Sequence, residues 1–329
     1  MRTLALEFTG PKRIEITETE IEPTADRPVV VRTCFSGISA GTEMLAYRGQ
    51  IDSGVPLDEI LDMGGTFSYP FRYGYSCVGV VERGAGDLAE GDLVFAYHPH
   101  QQHLTAAPDA LIPLHDMDPR VATMLPVIET ALQLSVDAEV LPGDAVCVFG
   151  LGAVGLATGL VLLRAGAHVT GVEPSPVRRK IGADLGLVTV EPGQSEATIA
   201  DATGGRGVSR VIEVSGRPEA LTQGLQTLAH EGLLVAGSWY GDKSLSVHLG
   251  THFHRRRLTI RSSQVSTIPR RLQDRWSIPQ RRAVALSLLK ELPVDRLATH
   301  TFPFEDAPDI YQAVERGVED VIHVALRYP

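Results

Sequence analysis

Three glycines and an acid set the first chemical expectation. The stretch VCVFGLGAVGL carries Gly150-x-Gly152-x-x-Gly155 between a strand-like apolar run and a helix-like one. Glu173 closes a second strand-like run about 20 residues further on. Gly150 permits a tight turn, Gly152 lets backbone approach a pyrophosphate, and Gly155 lets the helix pack on the sheet. Leu151, Ala153 and Val154 fill the turn and the first helical positions, where free N–H groups and the helix dipole favour phosphate oxygens. Glu173 is placed to accept hydrogen bonds from ribose hydroxyls and to repel a 2′-phosphate, which favours NAD(H) over NADP(H). Arg178, Arg179 and Lys180 follow closely and are the residues that would rescue a phosphate there. A structural strand–turn–helix, or a Gly-rich membrane helix, are the bland readings of the same stretch.

A second set of polar side chains lies in the first third of the chain. Ser39, Thr42 and Glu43 occur in FSGISAGTEMLAYRG (35–49), Tyr75 in YGYSC, and His98, His100 and His103 in YHPHQQH. Hydroxyls, a phenol and imidazoles are hydrogen-bond donors and proton carriers, suited to an oxygen that develops negative charge. Three imidazoles so close together could also bind a metal, though a pocket rim or the surface is their commoner fate. Ser39 and Thr42 could equally be loop hydroxyls bonding backbone.

The elements that must position these residues change along the chain. The first third reads as short strands with Gly-rich turns: LALEFTGPKRIEITETEI bends at Gly10-Pro11, and CVGVVERGAGDLAEGDLVFAY alternates strand and turn. From Pro119 the pattern turns helical, then alternates strand and helix through AVCVFG, AVGLATGLVLLRAG, HVTGVEP, PVRRKIGADLG, VSRVIEVSG, PEALTQGLQTLAHEG and LLVAGSW. Such alternation predicts βαβ units and a doubly wound parallel sheet, so the fold class is α/β. Val214, Ser215, Gly237 and Ser238 then fall at carboxyl ends of strands, where ligands bind. After Arg261 the pattern is irregular until ATHTFPFEDAPDIYQAVERG, which reads as strand, turn and helix.

With 329 residues the chain is too long for one core and suits two domains. Its net charge of −10 argues against nucleic acid or an anionic membrane as partner. Three scattered cysteines, Cys34, Cys77 and Cys147, form no disulfide or zinc pattern and fit a reducing cytoplasm. The N-terminus shows no signal peptide. The uncharged run 145–163 imitates a membrane span, but the nucleotide fingerprint divides it into strand, turn and helix.

The motifs GISAGTE (37–43), YGYSCVGVVERGAG (73–86), EGDLVFAY (90–97), LPGDAVCVFGLGAVGL (141–156) and DIYQAVERG (309–317) together resemble the medium-chain dehydrogenase/reductase superfamily over nearly the whole chain. The resemblance implies a GroES-like β-rich catalytic domain (1–118), a Rossmann domain (119–265), and a return to the catalytic domain (266–329). It also implies a substrate cleft between the domains and a homodimer. Zinc members of the family carry Cys and Gly-His-Glu ligands where this chain has Ser39 and Gly74-Tyr75-Ser76. A later acid position reads Pro126, with Glu129 one helical turn away. With PHQQH (99–103) and GSWYG (237–241), these departures are similar to a zinc-lacking branch that includes proteins like bacteriochlorophyllide hydroxyethyl dehydrogenase. By that resemblance Tyr75 replaces a zinc-binding His, Thr42 matches a proton-relaying hydroxyl, Ser39 takes the vacated sulfur position, Glu43 supports the loop, and His100 is the best histidine candidate.

The function expected is therefore zinc-independent, NAD(H)-linked interconversion of a secondary alcohol and a ketone by direct hydride transfer to a small-molecule substrate, with Tyr75, Thr42, Ser39 and His100 managing the proton. The rivals are reduction of an activated C=C bond in a quinone or enone, and nucleotide binding without turnover. The basic stretches 252–264 and 268–276 read either as a solvated or subunit-contact face or as a receptor for an anionic substrate.

Overall fold

In the computed structural model, residues 1–58, 63–317 and 321–329 are described. The middle of the chain, Val127–Pro293, forms one unit, and Met1–Pro126 with Val294–Pro329 forms the other. These boundaries lie beyond the expected breaks at 118/119 and 265/266. On one side the short helix Pro119–Ala122 stays with the first unit. On the other, the helix Ile278–Glu291 stays with the nucleotide-type unit. There Arg281 is buried, with Nε 3.7 Å from Glu129 Oε1 and Nη1 donating to Gln133 Oε1 at 2.8 Å.

In Val127–Pro293 the strands lie in the order Val188–Val190, His168–Val172, Ala145–Phe149, Val208–Glu213, Leu228–Ala236, Thr259–Ser262, all parallel. The first strand of the unit in sequence is therefore central, and the order in which strands are added switches sides between it and Val208–Glu213. That switch opens a crevice at the carboxyl ends, where such sheets bind ligands. Val146, Cys147, Val148 and Phe149 are essentially inaccessible, as expected of a parallel strand covered on both faces. The apolar run 145–163 resolves into the strand Ala145–Phe149 and the helix Ala153–Arg164. No helix among the described residues is long and apolar enough to cross a membrane.

Two expected elements differ. The helix predicted over PEALTQGLQTLAHEG ends at Thr227, because Leu228 already pairs with Val208 in the sheet. The stretch after Arg261 that reads as irregular contains the helix Ile278–Glu291. Its buried positions, Arg281, Ala285 and Leu289, make a narrow stripe at four-residue spacing that begins with a charge, which hides the apolar period. Ser277 and Gln280 form a capping box at its start, a signal present in the sequence.

The other unit is built on a sheet ordered His300–Pro303, Val324–Arg327, Val29–Ile38, Cys77–Arg83, Leu93–Ala96, Leu111–Pro113, with His103–Ala106 also paired to Val29–Ile38. The C-terminal return is thus a strand laid antiparallel on Val29–Ile38, with Val324 opposite Ile38. The hairpin Arg2–Gly10 and Arg13–Glu20 turns where the Gly10-Pro11 dipeptide lies. An aromatic core of Phe8, Tyr47, Phe71, Phe304, Tyr311 and Tyr328 joins hairpin, early helix and return segment. Of the segment 50–71, the strands Pro56–Asp58 and Met63–Thr66 pair antiparallel, and 59–62 lies outside the described residues.

His323, just before the strand Val324–Arg327, is expected to make stability pH-dependent. Its ring is 4% exposed, with Nε2 2.9 Å from Thr123 Oγ1. Burial, with Arg120 nearby, pushes its pKa down to about 4. The unfolded chain therefore takes up this proton first as pH falls. Stability is complete above about pH 6.5 and drains away toward pH 4, by at most about 1.4 kcal/mol per pH unit for this group. His98, lowered to about 4 by burial, acts in the same direction. Urea midpoints at pH 7, 5.5 and 4.5 should fall steadily for the native chain and less steeply for His323→Gln. An identical slope in the variant would remove His323 from this role.

Candidate active site

The glycine turn has the geometry its residue types demand. Gly150 sits at φ +95°, a conformation that side chains disfavour. A Cβ there would lie 2.7 Å from Ser215 Cα, so this turn packs directly on the Val214–Ser215 turn of the next parallel strand. A Cβ on Gly155 would lie 1.8 Å from Gly150 O, whereas one on Gly152 would meet nothing within 4 Å. The open space is thus at Gly152, the N-cap of the helix Ala153–Arg164, which no side chain caps. Ala153 and Val154 open that helix, and Leu151 is buried, its side chain packed on Gly171.

Glu173, 5% exposed, accepts from Leu151 N–H at 2.8 Å through one oxygen and from Ser175 N–H at 3.0 Å through the other. Each carboxylate oxygen keeps acceptor capacity after these bonds. Of the basic residues that follow, Arg179 donates to the Glu173 and Pro174 carbonyls and Lys180 to Asp184. Arg178 N–H donates to Ser175 Oγ, which caps the helix Pro176–Asp184. The turn and acid therefore fit a dinucleotide: space at Gly152, uncapped helix N–H groups, and an acceptor where ribose hydroxyls would come.

The turns after the next two strands are tied together. Gly216 N–H donates to Ser238 Oγ at 2.8 Å, and Gly237 N–H to Glu213 O at 2.8 Å. Glu213, fully buried, holds this corner. It accepts from Ser215 N–H at 2.7 Å, Ser215 Oγ at 2.5 Å and the Tyr240 hydroxyl at 2.5 Å. Glu213 was not among the expected residues, although VIE ends a strand in an acid just as GVE does at Glu173.

In the β-rich unit three of the expected hydroxyls converge. The Tyr75 hydroxyl donates to Ser39 Oγ at 2.6 Å, and the Thr42 hydroxyl also faces the phenol. Burial first, then the Glu43 charge, pushes the Tyr75 pKa up to about 12. Beneath the pair lies a buried polar chain. Glu43, fully buried, accepts from Ser39 N–H at 2.9 Å, from His100 Nε2 at 2.9 Å and from the Tyr311 hydroxyl. His100 Nδ1 lies 2.7 Å from Ser36 Oγ, which lies 2.9 Å from the Tyr328 hydroxyl. His100 is thus a fully buried ring with both nitrogens occupied, placed under the hydroxyl pair rather than beside it. Ser36, Tyr311 and Tyr328 were not foreseen.

The donor set here does not match zinc, which takes several Cys, His or carboxylate ligands. Ser39 and Tyr75 offer two hydroxyl oxygens bonded to each other, not a thiolate and an imidazole. Glu129 faces Arg281 and Arg282, each with Nε 3.7 Å from its Oε1. The three histidines of YHPHQQH face different surroundings: His98 Nδ1 its neighbour's carbonyl, His100 the Glu43 carboxylate, and His103 Glu82 at 3.7 Å. Among the described residues no group of three or more His, Cys, Asp or Glu is arranged to hold a metal. The basic stretches are largely internal ties. Arg256 donates to Leu228 O, Arg257 pairs with Glu231, and Arg261 and Arg271 both pair with Glu139.

Comparison with known proteins agrees with this architecture. Residues 153–278 match the family described as zinc-binding dehydrogenase. Along 348 aligned residues the chain is 26% identical to D-guloside 3-dehydrogenase of Shigella flexneri, covering 97% of this chain and 98% of that one. The solved 2R,3R-butanediol dehydrogenase from Bacillus subtilis superposes with a TM-score of 0.81 at 22% identity, covering 99% of each chain. An alcohol dehydrogenase from Thermotoga maritima superposes with a TM-score of 0.82 at 17% identity over 100% of both. With its β-rich unit, its six-stranded parallel sheet and these likenesses, the chain has the fold of the medium-chain dehydrogenases.

Proposed function

We propose that the chain is a zinc-independent, NAD(H)-linked oxidoreductase that interconverts a secondary alcohol and a ketone. The observation that carries this reading is the Tyr75–Ser39 hydroxyl pair, standing where zinc relatives are expected to hold ligands. Gly152, the helix N-terminus it caps and Glu173 would hold NADH, which would supply the hydride for the carbonyl carbon. The residues of this chain manage the proton. Tyr75 remains a phenol at neutral pH and donates to Ser39 Oγ, which leaves the Ser39 proton free for the developing alkoxide. In the reverse direction Ser39 Oγ takes the alcohol proton from the state that reduction leaves behind, with Tyr75 deprotonated and regaining its proton through Ser39. Thr42, facing the phenol, offers a second donor. The Glu173 carboxylate supports NAD(H), since a 2′-phosphate would meet a buried like charge while Arg179 and Lys180 are engaged elsewhere. A zinc-lacking branch of the medium-chain dehydrogenase/reductase superfamily is the group this proposed activity fits.

The test is turnover by protein shown metal-free by elemental analysis, with NADH and NADPH, against ketones, quinones and enones. Ketone reduction that prefers NADH and survives chelation is expected. Activity that needs a stoichiometric transition metal, or that is confined to enones or quinones, would overturn the reading. So would tight NADH binding with no turnover.

A further inference from the structure

We propose that the buried chain Tyr328–Ser36–His100–Glu43 runs in one hydrogen-bond direction, and that Glu43 is the positioning residue through which it fixes the Ser39–Tyr75 pair. The kinetic part of this inference rests on the function proposed above; the hydrogen-bond direction does not.

The direction follows from the chemistry of the terminus. An ionised carboxylate only accepts. Glu43 Oε1 takes Ser39 N–H, and Oε2 takes both the Tyr311 hydroxyl and His100 Nε2. Nε2 must therefore carry a proton. In the neutral ring Nδ1 is then an acceptor, so Ser36 Oγ donates to it, and the Tyr328 hydroxyl donates to Ser36 in turn. Every rotatable hydroxyl in the chain is thereby set. Glu43, His100 and Ser36 are all essentially inaccessible, so water does not compete for these bonds.

The consequence for the site is geometric. Ser39 is half-buried and follows the end of the strand Val29–Ile38. Its backbone N–H is held by a carboxylate that is itself clamped by groups from two other parts of the fold, His100 and Tyr311. A charge-assisted bond of this kind is roughly twice as strong as a neutral one. The titratable groups around Glu43 that feel its charge are Tyr73, Tyr75, Cys77, Tyr311 and Tyr328.

Glu43→Gln makes the direction visible. If the amide oxygen keeps the Ser39 N–H, its NH₂ faces His100 Nε2 and the Tyr311 oxygen. The ring must then move its proton to Nδ1, Ser36 must turn to donate to Tyr328, and the Tyr311 hydroxyl must turn away. His100 and Ser36 can both reverse, while the Tyr311 and Tyr328 hydroxyl hydrogens lose the acceptors they have in the native chain, so the variant is also expected to melt lower. Tyr311→Phe removes one donor to Glu43 and leaves the direction intact.

Histidine-labelled protein read by ¹⁵N–¹³C correlation NMR tests this. The His100 signals are identified as the buried ring that shifts in Tyr311→Phe. The native chain and Tyr311→Phe should show the Nε2–H tautomer, and Glu43→Gln the Nδ1–H tautomer. In turnover, Glu43→Gln should lose about 10-fold in kcat, with the NADH dissociation constant unchanged. An Nδ1–H or doubly protonated His100 in the native chain would overturn the direction, as would an unchanged tautomer in Glu43→Gln. Unchanged kcat in Glu43→Gln would overturn the positioning role. Absence of alcohol or ketone turnover in the native chain would defeat the functional reading, while the tautomer result would still decide the hydrogen-bond chain.

Discussion

Tyr75→Phe is expected to lower kcat for ketone reduction by about 10²-fold to 10⁴-fold, the range lost with a positioned proton donor, and to leave the NADH dissociation constant unchanged. The substitution removes one oxygen and keeps the ring, which packs edge-on against Tyr73 at 6.0 Å between centroids. What is lost is the donor to Ser39 Oγ at 2.6 Å, and with it the source that replaces a proton given up by Ser39. The pH dependence has a defined sign. The phenol is surrounded by Glu43, Ser39, Thr42, Asp58 and Tyr73; burial, with the Glu43 charge, pushes its pKa up to about 12. Its donating form therefore persists well above neutrality, and reduction should show no alkaline limb attributable to Tyr75 below about pH 10. Single-turnover NADH oxidation in native and Tyr75→Phe protein separates this chemistry from product release. A variant within about threefold of native would remove Tyr75 from the proton path and leave Ser39 and Thr42 to carry it.

What could be read from the sequence was what is local in the sequence. Gly150, Gly152, Gly155 and Glu173 span one βαβ unit, so their spacing alone encodes the turn, the cap and the acceptor. Glu213 carries the same signature as Glu173, an acid at the end of an apolar strand, but no glycine motif accompanies it to mark it as functional. The clustering of Ser39, Thr42 and Tyr75 was inferred from family resemblance, and their side chains do meet. His100 shows where such reasoning runs out. Its residue type suggested a proton carrier at the site, but nothing local tells whether an imidazole faces a substrate or a buried carboxylate. Its partners lie 57 and 64 residues away, at Glu43 and Ser36. The Tyr311–Glu43 bond spans 268 residues and the Ser36–Tyr328 bond 292. Those pairings exist only because the strand Val324–Arg327 and the helix Ala307–Glu315 return to the first unit. The helix Ile278–Glu291 was hidden for a different reason: its buried stripe starts with Arg281, whose partner Glu129 supplies the compensation that apolar periodicity would otherwise announce.

Gly155→Ala and Gly152→Ala should separate folding from cofactor binding within a single motif. The added methyl at Gly155 would stand 1.8 Å from Gly150 O and 2.9 Å from Gly150 C. Both are backbone atoms of a turn that already packs against Ser215 Cα, so neither side can retreat without displacing the Val214–Ser215 turn as well. The expected cost exceeds the usual overpacking range of about 1–3 kcal/mol, with the melting temperature lowered by about 6 °C or more. At Gly152 the same methyl meets nothing within 4 Å, and φ is −76°, a value alanine adopts freely. The fold should therefore be indifferent to it, with melting shifted by no more than about 2 °C. The methyl would, however, occupy the space left for a pyrophosphate against the helix N-terminus, and NADH should bind at least about tenfold more weakly. Differential scanning fluorimetry and NADH fluorescence titration on the two variants measure both quantities. Equal destabilisation by the two alanines would show that the turn relaxes as a unit. Unaltered NADH affinity in a well-folded Gly152→Ala would show that the dinucleotide does not lie against this helix end.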